Sequence, residues 1–383
     1  MPTATHLMQG DLHLNFTQMG MLLSAFSWTY TCSQIPVGWL AERYGAHRIL
    51  AIGLMVWATA TILIGFAHTF AMLLVLRLML GLGESAGFPC MAKIMAAIVP
   101  PKGLGTANGI VALGYLSGPV VGTILGGLLM AHFGWRSAFW VFGALSLVWL
   151  WPWSRVASGV RTAVSVTTDD SPTLWMILKQ PALWGTALGL FSQNYTFYFM
   201  LNWLPGYLQA ERGFSLIATT QLATLAFAAN AVCAFGAGWA IDRYLRRGGS
   251  ANFGYKMVMA VAHVGSVACM LAMAAGTPKL VLVGMFLFQA LCGASSPGVY
   301  AMCQILAGPR ASGRWVGIQN SLGNLPGIIA PWLTGYIVDT TGHFTVAFLV
   351  AAAVSMVGLI GWIGMVPKLA ELKWKPAAQP AAG

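Results

Sequence analysis

Two residues in this sequence carry full charge where the surroundings are almost wholly apolar. They are Arg77 and Glu84, in the stretch Arg77-Leu78-Met79-Leu80-Gly81-Leu82-Gly83-Glu84-Ser85-Ala86-Gly87-Phe88-Pro89. A spacing of seven is about two helical turns, roughly 10 Å, so one helix would point both to the same side. A guanidinium stays ionised and offers a planar, two-toothed donor set that fits a carboxylate. A carboxyl in an apolar helix can take up and release a proton as its neighbours change. The pair thus reads as an anion binder and a proton carrier. The plainer alternative is a structural ion pair, or charges satisfied by neighbouring helices.

The elements that must position them are apolar helices. The chain has 383 residues, 58% hydrophobic and only 8% charged, with a mean hydropathy of +0.73. That composition predicts an all-α, multi-pass membrane protein. Apolar runs of spanning length fall near 18–41, 49–68, 71–99, 107–131, 136–153, 181–208, 216–241, 255–276, 280–307, 315–337 and 344–366, eleven in all. By this reading Arg77 is the only base, and Glu84 the only acid, deep inside any of them. Each is costly at the bilayer centre, at least about 2.5–3.5 kcal/mol on insertion scales.

The net charge of +11 comes from short loops, so it marks topology and does not indicate a nucleic-acid partner. Sixteen Lys and Arg, Lys93 and Lys102 among them, fall on one side, against Arg136, Arg212 and Lys279 on the other. The asymmetry predicts a cytoplasmic C-terminus, and eleven spans then put the N-terminus outside. Six cysteines without metal spacing read as packed free thiols. Residues 1–17 are polar and show no cleavable signal peptide. No nucleophile, P-loop or metal cluster speaks for an enzyme or a cofactor.

The chain repeats itself. Gly38-Trp39-Leu40-Ala41-Glu42-Arg43-Tyr44 returns as Gly238-Trp239-Ala240-Ile241-Asp242-Arg243-Tyr244. Gly114, Gly118, Gly126 and Phe139 match Gly323, Gly327, Gly335 and Phe348. Two related halves predict a transporter with a central site between them. We expect an N-terminal bundle over 1–153, a polar linker over 154–180 containing Asp169 and Asp170, a C-terminal bundle over 181–367 and a tail over 368–383. The first half has five runs and the second six, so a helix before residue 18 is expected to be missing.

Gly38-x-Leu40-Ala41-Glu42-Arg43-x-Gly45-x-His47-Arg48 resembles the signature loop of the major facilitator superfamily, with a degenerate copy at Asp242-Arg243. More narrowly, five pieces resemble its anion:cation symporter group of sugar-acid, tartrate and phthalate carriers. They are Ser24 to Trp39, Arg77-x6-Glu84-x3-Phe88-Pro89, Trp135-Arg136-x2-Phe139, Asn194-x3-Tyr198 with Trp203-Leu204, and Gly323-Asn324-Leu325-x-Gly327. The resemblance implies two pseudo-symmetric bundles with eleven of twelve usual helices, and proton-coupled uptake of an organic anion through the inner (plasma) membrane by a monomer. It also implies substrate roles for Arg77, Tyr30, Asn194 and Asn324, and a proton role for Glu84. The Asp-Arg pair that ends the group's first helix has no counterpart here.

Other polar residues recur at helical spacing: Ser27, Tyr30 and Gln34; Gln193, Asn194, Tyr198 and Asn202; Ser296, Tyr300 and Gln304; Gln319, Asn320 and Asn324. Steps of three or four place each set on one face, toward a water-filled path or a neighbouring helix. Tyr198, Gln193, Tyr300 and Gln319 join the candidates for reading a substrate. Interhelical bonding is the alternative. Tyr115 puts an aromatic ring where a sugar-acid carrier would use an amide. The loops at Glu42-Arg43 and Asp242-Arg243 are expected to make charge contacts that lock one conformation. Gly114-x3-Gly118-Pro119-x2-Gly122-x3-Gly126-Gly127 resembles a motif of drug:proton antiporters, although helix packing accounts for it more simply. Drug or metabolite export, or a truncated carrier that transports nothing, are the competing functions.

Overall fold

The computed structural model describes residues 5–164, 171–210 and 213–374. Asp169, Asp170, Arg212 and Lys375, and the side chain of Arg161, lie outside the described residues. The rest is helical: α1 (Thr5–Leu12), α2 (Phe16–Tyr44), α3 (Ala46–Ile64), α4 (Phe70–Glu84), α5 (Gly87–Ile98), α6 (Leu104–Phe133), α7 (Trp135–Val148) and α8 (Leu150–Val164) come first. Then follow α9 (Leu174–Leu178), α10 (Pro181–Ala210), α11 (Leu216–Arg246), α12 (Ala251–Ala274), α13 (Pro278–Gly323), α14 (Pro326–Thr341) and α15 (Thr345–Leu359), which ends in a wide turn over Ile360–Met365. Seven helical stretches among the described residues are long and apolar enough to cross a membrane. Large apolar side chains such as Ile52, Val121, Leu128, Val232 and Trp332 point outward, as a lipid-facing surface requires.

The helix ends follow local chemistry. Asn15 caps α2 in a reciprocal capping box with Gln18, while Thr69, Ser215 and Thr277 cap α4, α11 and α13. Gly45 joins α2 to α3 at φ 95°, a left-handed conformation that disfavours a Cβ. Pro89 cannot donate to the carbonyl of Ser85, and the apolar run 71–99 accordingly breaks between α4 and α5, immediately after Glu84. Pro326 makes the matching break after Asn324. Gly308, at φ 64°, is non-helical inside α13, and contacts such as Tyr300 with Asn320 show the two arms folding back on each other.

Helices α2 to α8 pack among themselves, as do α10 to α15, and the two groups meet where α2, α5 and α6 face α11 and α13. Helix α8 runs to Val164, past the expected bundle boundary at 153, because nothing in 154–164 breaks a helix. Residues 5–12 form α1, with Met8 fully buried in a cluster containing Leu22, Leu73 and Trp135. Asp11 pairs with Arg136 and accepts from Trp135 Nε1 at 3.2 Å. The glycine stripe Gly114, Gly118, Gly122 and Gly127 packs against nothing: a Cβ added at any of them would meet open space.

Candidate functional site

Between the two groups lies a cavity of about 840 Å³. It is walled by α2, α4, α5 and α6 on one side and by α10, α11 and α13 on the other. It holds seven of the nine expected substrate and proton residues, Tyr30, Glu84, Gln193, Asn194, Tyr198, Tyr300 and Asn324, together with Tyr115 and Ser296. Glu84 and Asn324 sit at the two proline breaks, so the interrupted helices end at the cavity wall. Glu84 is exposed there. Among the described residues the ion pairs are Glu42 with Lys93 and Asp11 with Arg136, so Glu84 has no salt-bridge partner.

The polar side chains are held from behind. Asn194 Nδ2 donates to the carbonyl of Gly323 at 2.6 Å, and Asn324 Nδ2 to that of Asn320 at 2.8 Å. Tyr300 donates to Asn320 Oδ1 at 3.3 Å. Gln193 leaves its Oε1 buried without a partner. Aromatic rings fill much of the remainder. Phe88 stacks on Tyr300 across the two groups, centroids 5.0 Å apart and planes 13° apart, and Tyr115 meets Phe88 edge-on at 5.8 Å.

Two expected site residues do not line the cavity. Arg77, 8% exposed, donates from Nε to the Leu22 carbonyl at 2.9 Å and from a terminal nitrogen to that of Leu23 at 3.3 Å. Its guanidinium also covers the Phe26 ring at 5.2 Å. Gln319 is fully buried and accepts from the Cys303 thiol.

Below the cavity the two groups are closed in layers. Asn108 Nδ2 donates to Gln304 Oε1 at 2.7 Å, and Ser321 donates to the Thr31 carbonyl at 2.8 Å. The repeated loops close the last layer. Glu42 accepts from the Gly313 amide at 3.0 Å, and Asp242 from the amides of Gly105 and Thr106 at 3.0 and 2.6 Å. Asp242 thus reaches the start of α6, where free N–H groups and the helix dipole favour negative charge, and Glu42 reaches the Gly313 amide five residues beyond the break at Gly308. The glycines permit this approach. A Cβ on Gly38 would lie 2.6 Å from the Gly313 oxygen, and one on Gly105 2.6 Å from the Gly238 oxygen. The arginines of the motif take no part: Arg43 lies over Trp39 and Tyr44, Arg243 over Trp239, and Arg48 is exposed.

Sequence reasoning missed several contributors. Lys93 was assigned to the topology-setting loop charges, yet it is 2% exposed and pairs with Glu42. Asn108 and Asn230, the latter on the cavity wall and bonded to Gln289 at 2.8 Å, were passed over. Asn108 had a signal, as the one amide side chain of α6, whereas Asn230 shares α11 with Gln221. Phe26 and Phe88 stood within the family-like pieces without a role assigned, while Phe197 and Phe227 carried no signal beyond apolarity.

A cavity at the meeting of two helical groups, sealed on one face by paired copies of one loop, defines a membrane carrier of the alternating-access kind. The chain belongs to the Major Facilitator Superfamily, whose family profile matches residues 1–251 and 249–382. It is 30% identical to the hexuronate transporter of Bacillus subtilis, over 92% of this chain and 86% of that protein. It is 28% identical to the probable galactarate/D-glucarate transporter of Escherichia coli, over 97% and 90%. Its fold matches the proton:xylose symporter XylE with a TM-score of 0.74 at 13% identity, covering 96% of this chain and 92% of that one. It matches a human organic anion transporter, TETRAN, at 0.71 and 16%, covering 94% and 88%. The chain is a multi-pass membrane transporter and not an enzyme.

Proposed function

We propose that the chain takes up a small organic anion together with a proton, the halves 1–153 and 181–367 rocking about the cavity. The observation that carries this reading is Glu84, exposed on the cavity wall without a salt-bridge partner, on the same helix as the buried Arg77. An anion beside an ionised carboxylate is repelled; beside a protonated one it is not. Anion and proton then bind with positive linkage, which is the thermodynamic core of symport. The Arg77 guanidinium adds a positive field from the same helix. The relatives named for hexuronate and for galactarate/D-glucarate transport support an anionic cargo. In this reading the closed face is cytoplasmic, the protein sits in the plasma membrane as a monomer, and the bilayer and the anion are its only partners. The loops at Glu42 and Asp242 hold the inward side shut. The unpacked glycine face of α6 is the surface on which the outward side closes.

The test is uptake into proteoliposomes with and without an inward proton gradient. Arg77→Ala should abolish uptake, and Glu84→Gln should keep anion exchange while losing gradient-driven accumulation. Unchanged uptake in both variants would sink the proposal. One observation favours a second reading: among the described cavity residues Glu84 is the only charged side chain, and aromatic rings surround it. Such a site attracts organic cations, and proton-driven efflux of a cation would be the corresponding activity.

A further inference from the structure

The closed face carries a contact that neither repeated loop supplies. Beyond the wide turn at Ile360–Met365 the chain leaves its last helix and crosses the end of α13 without regular structure of its own. Four bonds seat it. Lys256 Nζ donates to the Val366 carbonyl at 2.6 Å, and the Leu369 amide donates to Asn252 Oδ1 at 3.1 Å, both near the start of α12. The Leu372 amide donates to the Leu306 carbonyl at 2.9 Å, and Trp374 Nε1 to that of Ala307 at 3.3 Å.

Leu306 and Ala307 end the first arm of α13, immediately before the bend at Gly308. The last carbonyls of a helix lack intrahelical donors, and Pro309 brings no N–H of its own. Both residues are fully buried, carbonyls included, so water does not serve them and the tail supplies the donors. The Glu371 carboxylate stands over the bend, where a Cβ on Gly308 would run into it. Leu369, Leu372 and Trp374 rest on an apolar cluster built from both halves, with Ala92 and Leu104 from the first and Ala311 and Trp315 from the second.

The hold is local. Among residues 367–374 only Leu369 is buried, and an irregular segment with so few buried side chains opens far more readily than the helices beneath it. It bears on the gate all the same, because Gly313, whose amide meets Glu42, lies five residues beyond the bend on the same continuous arm. We propose that Leu369–Trp374 is a detachable latch of the closed face. Seated, it fixes the bend at the angle that presents Gly313 to Glu42. Lifted, it frees the second arm of α13 and lets the face open. The tail thereby sets how readily the carrier changes state, whatever its cargo or coupling ion.

The experiment is maleimide labelling of the full chain in detergent, with its six native cysteines replaced and Asn108→Cys as the reporter. Asn108 is 3% exposed, bonds across the halves to Gln304, and lies on the half that carries no part of the tail. Leu372→Pro combined with Trp374→Phe removes both donors at the bend and keeps the apolar bulk. That double variant should raise labelling at Asn108→Cys at least about tenfold. Ala351→Cys, at a fully buried position inside the second half, should stay unlabelled. Asn252→Ala frees only Leu369 and should give a smaller rise of about threefold. It also keeps the test decisive where the double variant fails to fold, which a fluorescence melt reads. A change of less than about twofold at Asn108→Cys in folded variants would overturn the latch. Equal rises at Asn108→Cys and Ala351→Cys would overturn it as well, since the tail would then brace its own half and not the gate. The readout uses no substrate, so its failure leaves the proposed symport standing, and failure of symport leaves the latch.

Discussion

Replacing Asp242 with Asn removes one charge from the closed face and almost no volume. The native carboxylate is fully buried and accepts from Gly105 and Thr106 at the start of α6. Hydrogen bonds to a charged group contribute about 1.5–3 kcal/mol each and a neutral one about 1 kcal/mol. The Asn side chain keeps one carbonyl acceptor, so one bond becomes neutral and one amide is left unmet. The closed face should lose about 2–5 kcal/mol relative to any state in which Asp242 is hydrated. At 1.4 kcal/mol per decade, that is at least about a thirtyfold shift toward opening. The assay is maleimide labelling of Ala311→Cys, at a fully buried position two residues before Gly313, in a chain with its six native cysteines replaced. Labelling should be negligible with Asp242 and should rise at least about tenfold with Asn. Labelling that changes less than about twofold would refute the idea that this carboxylate holds the face shut.

The companion contact at Glu42 behaves differently because Lys93 neutralises it. Lys93→Met strands a buried carboxylate and should destabilise the protein by about 3–5 kcal/mol in detergent unfolding, whereas the double variant with Glu42→Gln recovers most of that loss. Equal losses in the single and double variants would show that the pair carries no coupling. At the other end of the chain, the Arg136 guanidinium and the Trp135 N–H hold the Asp11 carboxyl below the usual carboxylate range. A lowered folded pKa stabilises above the ordinary value and is lost as pH falls through the folded one. Hydrogen exchange over Thr5–Leu12, corrected for intrinsic rates, should therefore be flat from about pH 7 to about pH 5 and quicken only in stronger acid. Asp11→Asn should exchange quickly throughout.

Hydropathy alone was enough for the helical membrane class, because burial in lipid constrains every turn of every span. The spacing of Gln193, Asn194 and Tyr198 marked an inward face for the same reason, and those residues do line the cavity. What periodicity cannot supply is the partner. Arg77 was legible as a charge that needed a ligand, and the structure gives it the carbonyls of Leu22 and Leu23 on a helix some fifty residues away in sequence. Lys93 lies near enough to a helix end to pass for a loop charge, and only the approach of α2 to α5 makes it a buried base. The glycine stripe of α6 shows the converse. Spacing marked it as a smooth surface, but whether anything rests on that surface depends on how the two halves sit.

The fold-back at Gly308 has a mechanical consequence. One arm of α13 carries Tyr300 on the cavity wall; the other runs from Gly313, gripped by Glu42, to Asn324, again on the cavity wall. The eleven residues from Gly313 to Gly323 are a continuous helix about 16 Å long that Asn324 caps, with no loop to absorb slack. Helix α13 therefore works as a stiff crank. A ligand that shifts Asn324 or Tyr300 strains the grip on Gly313 directly, and releasing that grip displaces the cavity wall. Occupancy and gating then share a single moving part, and a flexible insertion beside Gly313 should uncouple them.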